Sequence, residues 1–95
     1  VECLELALSE YMESLKLFSK DKSNINYPKT NADIAQIYFI LSHTDNRYLY
    51  NSIFFYNKAL TFYYSNNYVV EGKIIALKLT NAYLLCSRKK TLSKG

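Results

Sequence analysis

Ser52-Ile53-Phe54-Phe55-Tyr56-Asn57-Lys58-Ala59-Leu60-Thr61-Phe62-Tyr63 is the stretch that decides the fold. A small residue (Ser52), an aromatic four positions on (Tyr56), an alanine three later (Ala59) and the adjoining Leu60 share one face of a helix. Narrow residues thus sit beside bulky ones, and a second helix can approach closely. Ala7, Tyr11, Ser14, Leu15 and Phe18 repeat the pattern forty-five residues earlier. The same offset relates Ile34, Gln36, Tyr38, Phe39, Ile40 and Ser42 to Leu79, Asn81, Tyr83, Leu84, Leu85 and Ser87. The repeat unit is therefore a pair of helices, and arrays of such pairs commonly bind other proteins.

Composition agrees. The 95 residues are 49% hydrophobic and 21% charged, which excludes a disordered chain and allows one domain with its own core. Two glycines and one proline are too few for the tight turns of a sandwich or barrel. Ten tyrosines and five phenylalanines favour strands one by one, but their helical spacing wins because burial of one face is the larger energy. The expected class is all-α, with four antiparallel helices in a hairpin stack or bundle.

The helices are expected at about 2–20, 31–43, 47–65 and 69–89, with a frayed tail over 90–95, all in a single domain of residues 1–95. In the first, Leu4, Ala7, Leu8, Tyr11, Ser14, Leu15 and Phe18 lie opposite Glu5, Ser9, Glu10, Glu13 and Lys16, which makes it the cleanest amphipathic segment. Asp21 to Lys29, with Pro28, reads as a loop, Tyr27 being pushed toward extended geometry. Thr30 and Asp33 resemble a capping box that opens the second helix, whose inward residues are Ile34, Ile37, Tyr38 and Leu41. Asp45 or Asn46 caps the third, and Asn66-Asn67 breaks it. Val1 opens inside a helix and is not methionine, so a segment of a longer protein is expected.

Little here suggests chemistry. Cys3, Cys86 and the lone His43 form neither a zinc pattern nor a disulfide framework, and no glycine-rich phosphate cradle occurs. No catalytic residue, metal or cofactor is expected, and the chain is read as non-enzymatic. No secretory signal, glycosylation acceptor or apolar run of spanning length is present, which points to a cytoplasmic or nuclear location without a membrane partner.

Tyr48, Ser52, Tyr56, Ala59 and Leu60 resemble the second helix of a tetratricopeptide repeat, and Ala7, Tyr11, Ser14 and Leu15 resemble the same helix one repeat earlier. The period here is longer than the usual ~34 residues of that motif. Helices three and four also resemble the last two of a microtubule-interacting and transport domain, through Tyr48, Ser52, Tyr56, Ala59, Leu60, Tyr83 and Leu84. Either resemblance implies a scaffold or adaptor that holds a peptide or helix of another protein in a groove between helices.

Tyr50 and Phe54 fall opposite the core stripe of helix three and are candidate anchors, with Phe39 a similar case. Helix four carries two apolar seams. Ile75, Leu79, Ala82 and Cys86 face the domain, whereas Leu77 and Leu84 face the next helix of an array, a bound helix, or a second copy in a homo-oligomer. Charge is lopsided. Residues 1–65 hold seven carboxylates against six cations, but 66–95 hold Lys73, Lys78, Arg88, Lys89, Lys90 and Lys94 against Glu71 alone. Lys73, Lys78 and Arg88 therefore suit an acidic protein partner. The alternative is a nucleic-acid-associated regulator whose basic C-terminal helix contacts phosphates.

Overall fold

The computed structural model describes residues 2–18 and 24–94, with side chains for 2–18 and 24–89. It holds four helices, α1 (Glu2–Phe18), α2 (Asn26–Leu41), α3 (Arg47–Ser65) and α4 (Val69–Lys94), and no strand among the described residues. The fold is all-α. No described helix is long and apolar enough to cross a membrane.

Helix α2 starts a full turn earlier than the Thr30-Asp33 pattern suggests. The Asn24 side-chain Oδ1 accepts from the Asn26 N–H (2.9 Å), and the Asn24 carbonyl accepts from the Tyr27 N–H (2.9 Å). Pro28 then falls in the first turn, where its missing N–H would have had no helical partner, so residues 26–29 are helix and not loop. Thr30 is buried inside α2 and caps nothing. The expected loop residues 21–23 lie outside the described residues.

Helix α3 opens as expected on the polar turn, but through Asp45. Asn46 makes no side-chain cap, whereas the Asp45 Oδ1 accepts from the Arg47 N–H (3.0 Å) and the carboxylate grips the Arg47 guanidinium (2.7 Å at Nη2). Those hydrogen bonds hold the Asp45 carboxyl down to about 2. The folded value is below the ordinary 3.8, so the contact is fully present above that and is lost as pH falls toward 2. Arg47→Ala is expected to return the Asp45 titration midpoint toward its ordinary value, read from side-chain carbon shifts by nuclear magnetic resonance. Asn66-Asn67 ends α3 as the sequence predicts. Asn67 takes a left-handed φ of 64°, the Tyr68 N–H donates to the Tyr63 carbonyl (2.8 Å) and the Asn67 N–H to that of Tyr64 (3.3 Å). This is a Schellman closure, completed by the Tyr63–Tyr68 ring contact at 6.1 Å.

Partners along α2 and α3 run in opposite directions: Tyr27 meets Phe62, the Ser52 Oγ donates to the buried Ala35 carbonyl (2.7 Å), and Tyr38 stacks on Tyr48 and Phe55. The pair is antiparallel. Its close approach rests on Ala35, Ser52 and Ala59, all at 0% exposure. Helices α3 and α4 are antiparallel too, Asn57 reaching Tyr83 at one level and Tyr64 covering Gly72 at another. Ile34, Ile37 and Leu41 of α2, Leu49, Tyr56, Phe62 and Tyr63 of α3, and Ile75, Leu79 and Ala82 of α4 are buried. Each large member contributes about 1.5–3 kcal/mol by leaving water. Tyr38, expected inside, is only half-buried because its ring lies along the seam against Tyr48 and Phe55. Ile53, Leu60 and Cys86 are likewise half-buried.

Helix α1 buries no residue fully. Its stripe from Leu4 to Phe18 is the expected one, but α1 packs chiefly on α2 and the stripe stays half-covered. Helix α4 runs to Lys94, past the expected end at Lys89. Near that end the Lys89 Nζ donates to the Ser42 carbonyl (2.8 Å) and to the Asn46 Oδ1, which latches α4 onto the α2–α3 turn. Lys89→Met is expected to cost about 1–2 kcal/mol, since hydrogen bonds from a charged donor are worth about 1.5–3 and this one is partly exposed. Urea denaturation followed by circular dichroism measures it.

Candidate functional site

Helices α2 and α4 present corresponding repeat positions to one shared groove that runs over α3. From α2 and the turn after it come Gln36, Phe39 and His43, and from α4, forty-five residues on, come Asn81, Leu84 and Arg88. Two adjoining hollows make up the groove. One, of about 180 Å³, is lined by Gln36, Phe39, Tyr56, Lys78 and Asn81. The other, of about 330 Å³, is lined by Phe39, His43, Asn81, Leu84, Leu85 and Arg88. Phe39 and Asn81 border both, and Tyr56, held in the core, is the floor.

The helical spacing of three and four turns one edge of each segment inward, so the repeat that builds the stack also builds the groove. Phe39 is fixed at one wall by an edge contact with His43 (5.7 Å). Leu84 is 52% exposed, an apolar side chain open to solvent at the other wall. Lys78 and Arg88 supply positive charge. Asp33, the repeat counterpart of Lys78, is pushed above the usual carboxylate range by burial, with Lys29 and Lys78 pulling the other way. Burial also raises the phenols of Tyr56 and Tyr63, with Asp33 adding to both, so the floor stays neutral. Apolar walls, two amides and two cations offer surface to apolar and to anionic groups together. No cluster of metal-ligating side chains occurs among the described residues.

The structure separates the sequence-derived candidates into three places. Lys78, Leu84 and Arg88 meet in the groove. Tyr50 and Phe54 are exposed, at 56% and 54%, away from the groove: Phe54, two residues from Tyr56, is turned roughly 200° from it, and Tyr50, six residues away, roughly 120°. There Phe54 packs edge-on against Phe55, lies under the Lys58 ammonium at 4.9 Å, and borders a third hollow of about 440 Å³ with Tyr27, Asn57 and Thr61. Leu77 and Lys73 are exposed on α4 away from the groove lining, Leu77 at 70%. Gln36, His43, Asn81 and Leu85 were not singled out as binding residues from the sequence. The signal was present: Gln36 with Asn81 and Phe39 with Leu84 are repeat pairs at positions outside the main core stripe. Lys89, a candidate phosphate contact, is instead spent on the α2–α3 turn.

Compared with protein-family models, with curated proteins and with solved structures, the chain finds no match in any of the three.

Proposed function

We propose that the chain is a non-enzymatic, tetratricopeptide-like interaction module that recruits another protein by holding an acidic peptide or helix in the groove between α2 and α4. The observation that carries this reading is the pairing of repeat positions across the groove, which sets Phe39 and Leu84 as apolar walls with Lys78 and Arg88 among them. An apolar segment with two or three carboxylates satisfies both features at once. Tyr50 and Phe54, exposed on α3 away from the groove, serve as a secondary anchor.

The test is affinity capture from cell extract at low and moderate salt, with cross-links mapped by mass spectrometry. A protein retained at moderate salt and cross-linked to Lys78 in the groove supports the reading. Recovery of nucleic acid alone, lost steeply as salt rises, replaces it with phosphate binding along α4.

A further inference from the structure

We infer that copies of this chain stack head to tail, α1 of one copy seating on α4 of the next in the way α3 seats on α2. The surface adjoins the groove and shares Leu84 and Arg88 with its rim, but Leu17 of α1 and Thr80 of α4 lie outside the groove lining, so the inference is testable whether or not the groove binds an acidic segment.

The α2–α3 contact supplies the template. On α2 the receiving edge is Asn31, Ala35, Tyr38 and Ser42, spaced by four, three and four, and it is covered: Asn31, Ala35 and Ser42 are at 0% exposure and Tyr38 is stacked on α3. Forty-five residues on, the same edge of α4 is Ala76, Thr80, Tyr83 and Ser87. Thr80 and Ser87 are exposed, Ala76 is half-exposed, and Tyr83 is at 50% with its hydroxyl accepting from the Asn57 side chain (3.3 Å). Leu77 and Leu84, at 70% and 52%, flank that edge where α2 has the half-buried Ala32 and Phe39. Small residues beside a tyrosine are what let α3 approach α2, and α4 repeats them on an edge that is exposed or half-exposed.

Helix α1 has the matching deficit. The face that α3 turns to α2 includes Tyr48, Ser52, Phe55, Ala59 and Phe62, whose counterparts are Cys3, Ala7, Glu10, Ser14 and Leu17. Ser52 and Ala59 are at 0% exposure, but Ala7 and Ser14 are half-exposed and Leu17 is 71% exposed. Each of these two exposed faces thus matches the one that the other would cover. Charge agrees with the fit: α1 carries Glu2, Glu5, Glu10 and Glu13 against Lys16, whereas α4 carries Lys73, Lys78, Arg88 and Lys89 against Glu71. In the antiparallel seating the acidic first turn of α1 comes beside Arg88, at the basic end of α4. Ala7 cannot reproduce the hydrogen bond that Ser52 makes to Ala35, so this contact is weaker than its internal model. A contact between two different surfaces does not close on itself, and the assembly grows open-ended.

Sedimentation equilibrium of the full chain, from micromolar to millimolar at low and moderate salt, tests this. The expected result is an average mass that climbs above 11.1 kDa with concentration without stopping at a dimer, and climbs less at moderate salt. Leu17→Arg blocks one face and Thr80→Arg the other, and both residues are exposed, so circular dichroism should not change. Each variant alone should weaken association by about tenfold or more, as for a charge placed in a packed contact. A mixture of the two keeps one intact α4 and one intact α1 face, so it should form a heterodimer and go no further. A chain monomeric at every concentration overturns the inference, as does a dimer untouched by Leu17→Arg, which would mean that α4 pairs with itself. A mixture that stays monomeric while wild type associates overturns it too. Glu10→Arg is the second α1 variant if Leu17→Arg loses helicity.

Discussion

Tyr56→Ala should leave most of the chain unfolded in mild denaturant. Tyr56 is 3% exposed and lies in the cluster that joins Ala35 of α2, Ala59 and Tyr63 of α3, and Ile75 and Leu79 of α4. Truncating a buried aromatic costs about 3–5 kcal/mol, the transfer energy of the ring plus the cavity that three helices cannot all close upon. Domains of this size are stable by only about 5–15 kcal/mol, so the loss is a large fraction of the whole. Tyr50→Ala, six residues earlier on the exposed side of the same helix, should change stability by about 0.5 kcal/mol or less. Chemical denaturation of both variants decides the matter. Equal shifts in midpoint would mean that α3 is rotated about its axis relative to the arrangement described, and the groove floor would go with it.

Reversing the groove charge with Lys78→Glu and Arg88→Glu together should weaken capture of an acidic partner by about tenfold to a hundredfold, since two attractive contacts become repulsive. Helicity should be unaffected, because both side chains are exposed on α4. Lys73→Glu is the control: it makes the same change of charge on the same helix outside the groove lining, and its effect should be small. Titration of the captured partner against all three proteins measures this. If Lys73→Glu weakened binding as much per charge as the pair, the partner would be responding to the net charge of α4 and the groove would have no part in it. Leu84→Ala separates the remaining contribution, because it removes an apolar wall without adding charge beside either cation.

The periodicity of α3 was informative because its small and aromatic residues alternate at helical spacing, and Ser52, Tyr56, Ala59 and Leu60, which share the expected face, are buried or half-buried. The start of α2 was not readable in the same way. Pro28 and the asparagines around it carry turn preferences, yet Asn24 uses that tendency to nucleate the helix, and proline is harmless within a first turn. Periodicity also reports which face of α1 is apolar but not how many neighbours cover it, which depends on the order of helices in space. The same holds for the groove. Gln36, Asn81 and His43 have no apolar pattern of their own and gain meaning only when two helices bring equivalent positions face to face. Lys89 was read as a free cation because its partners are a backbone carbonyl and an amide forty-odd residues away, which no local pattern encodes.

The largest contacts between helices follow chain order, α2 with α3, then α3 with α4, then α1 with α2. Such a topology asks for little loop closure before contacts reward it, which favours fast folding. It also makes cooperativity local, each terminal helix being coupled to the rest mainly through one interface. Helix α1, with no fully buried residue, is then the first element to detach, and its departure leaves the α2–α4 groove standing. The protein can therefore spend part of its time as a three-helix body that remains competent at the groove, with an acidic helix tethered beside it.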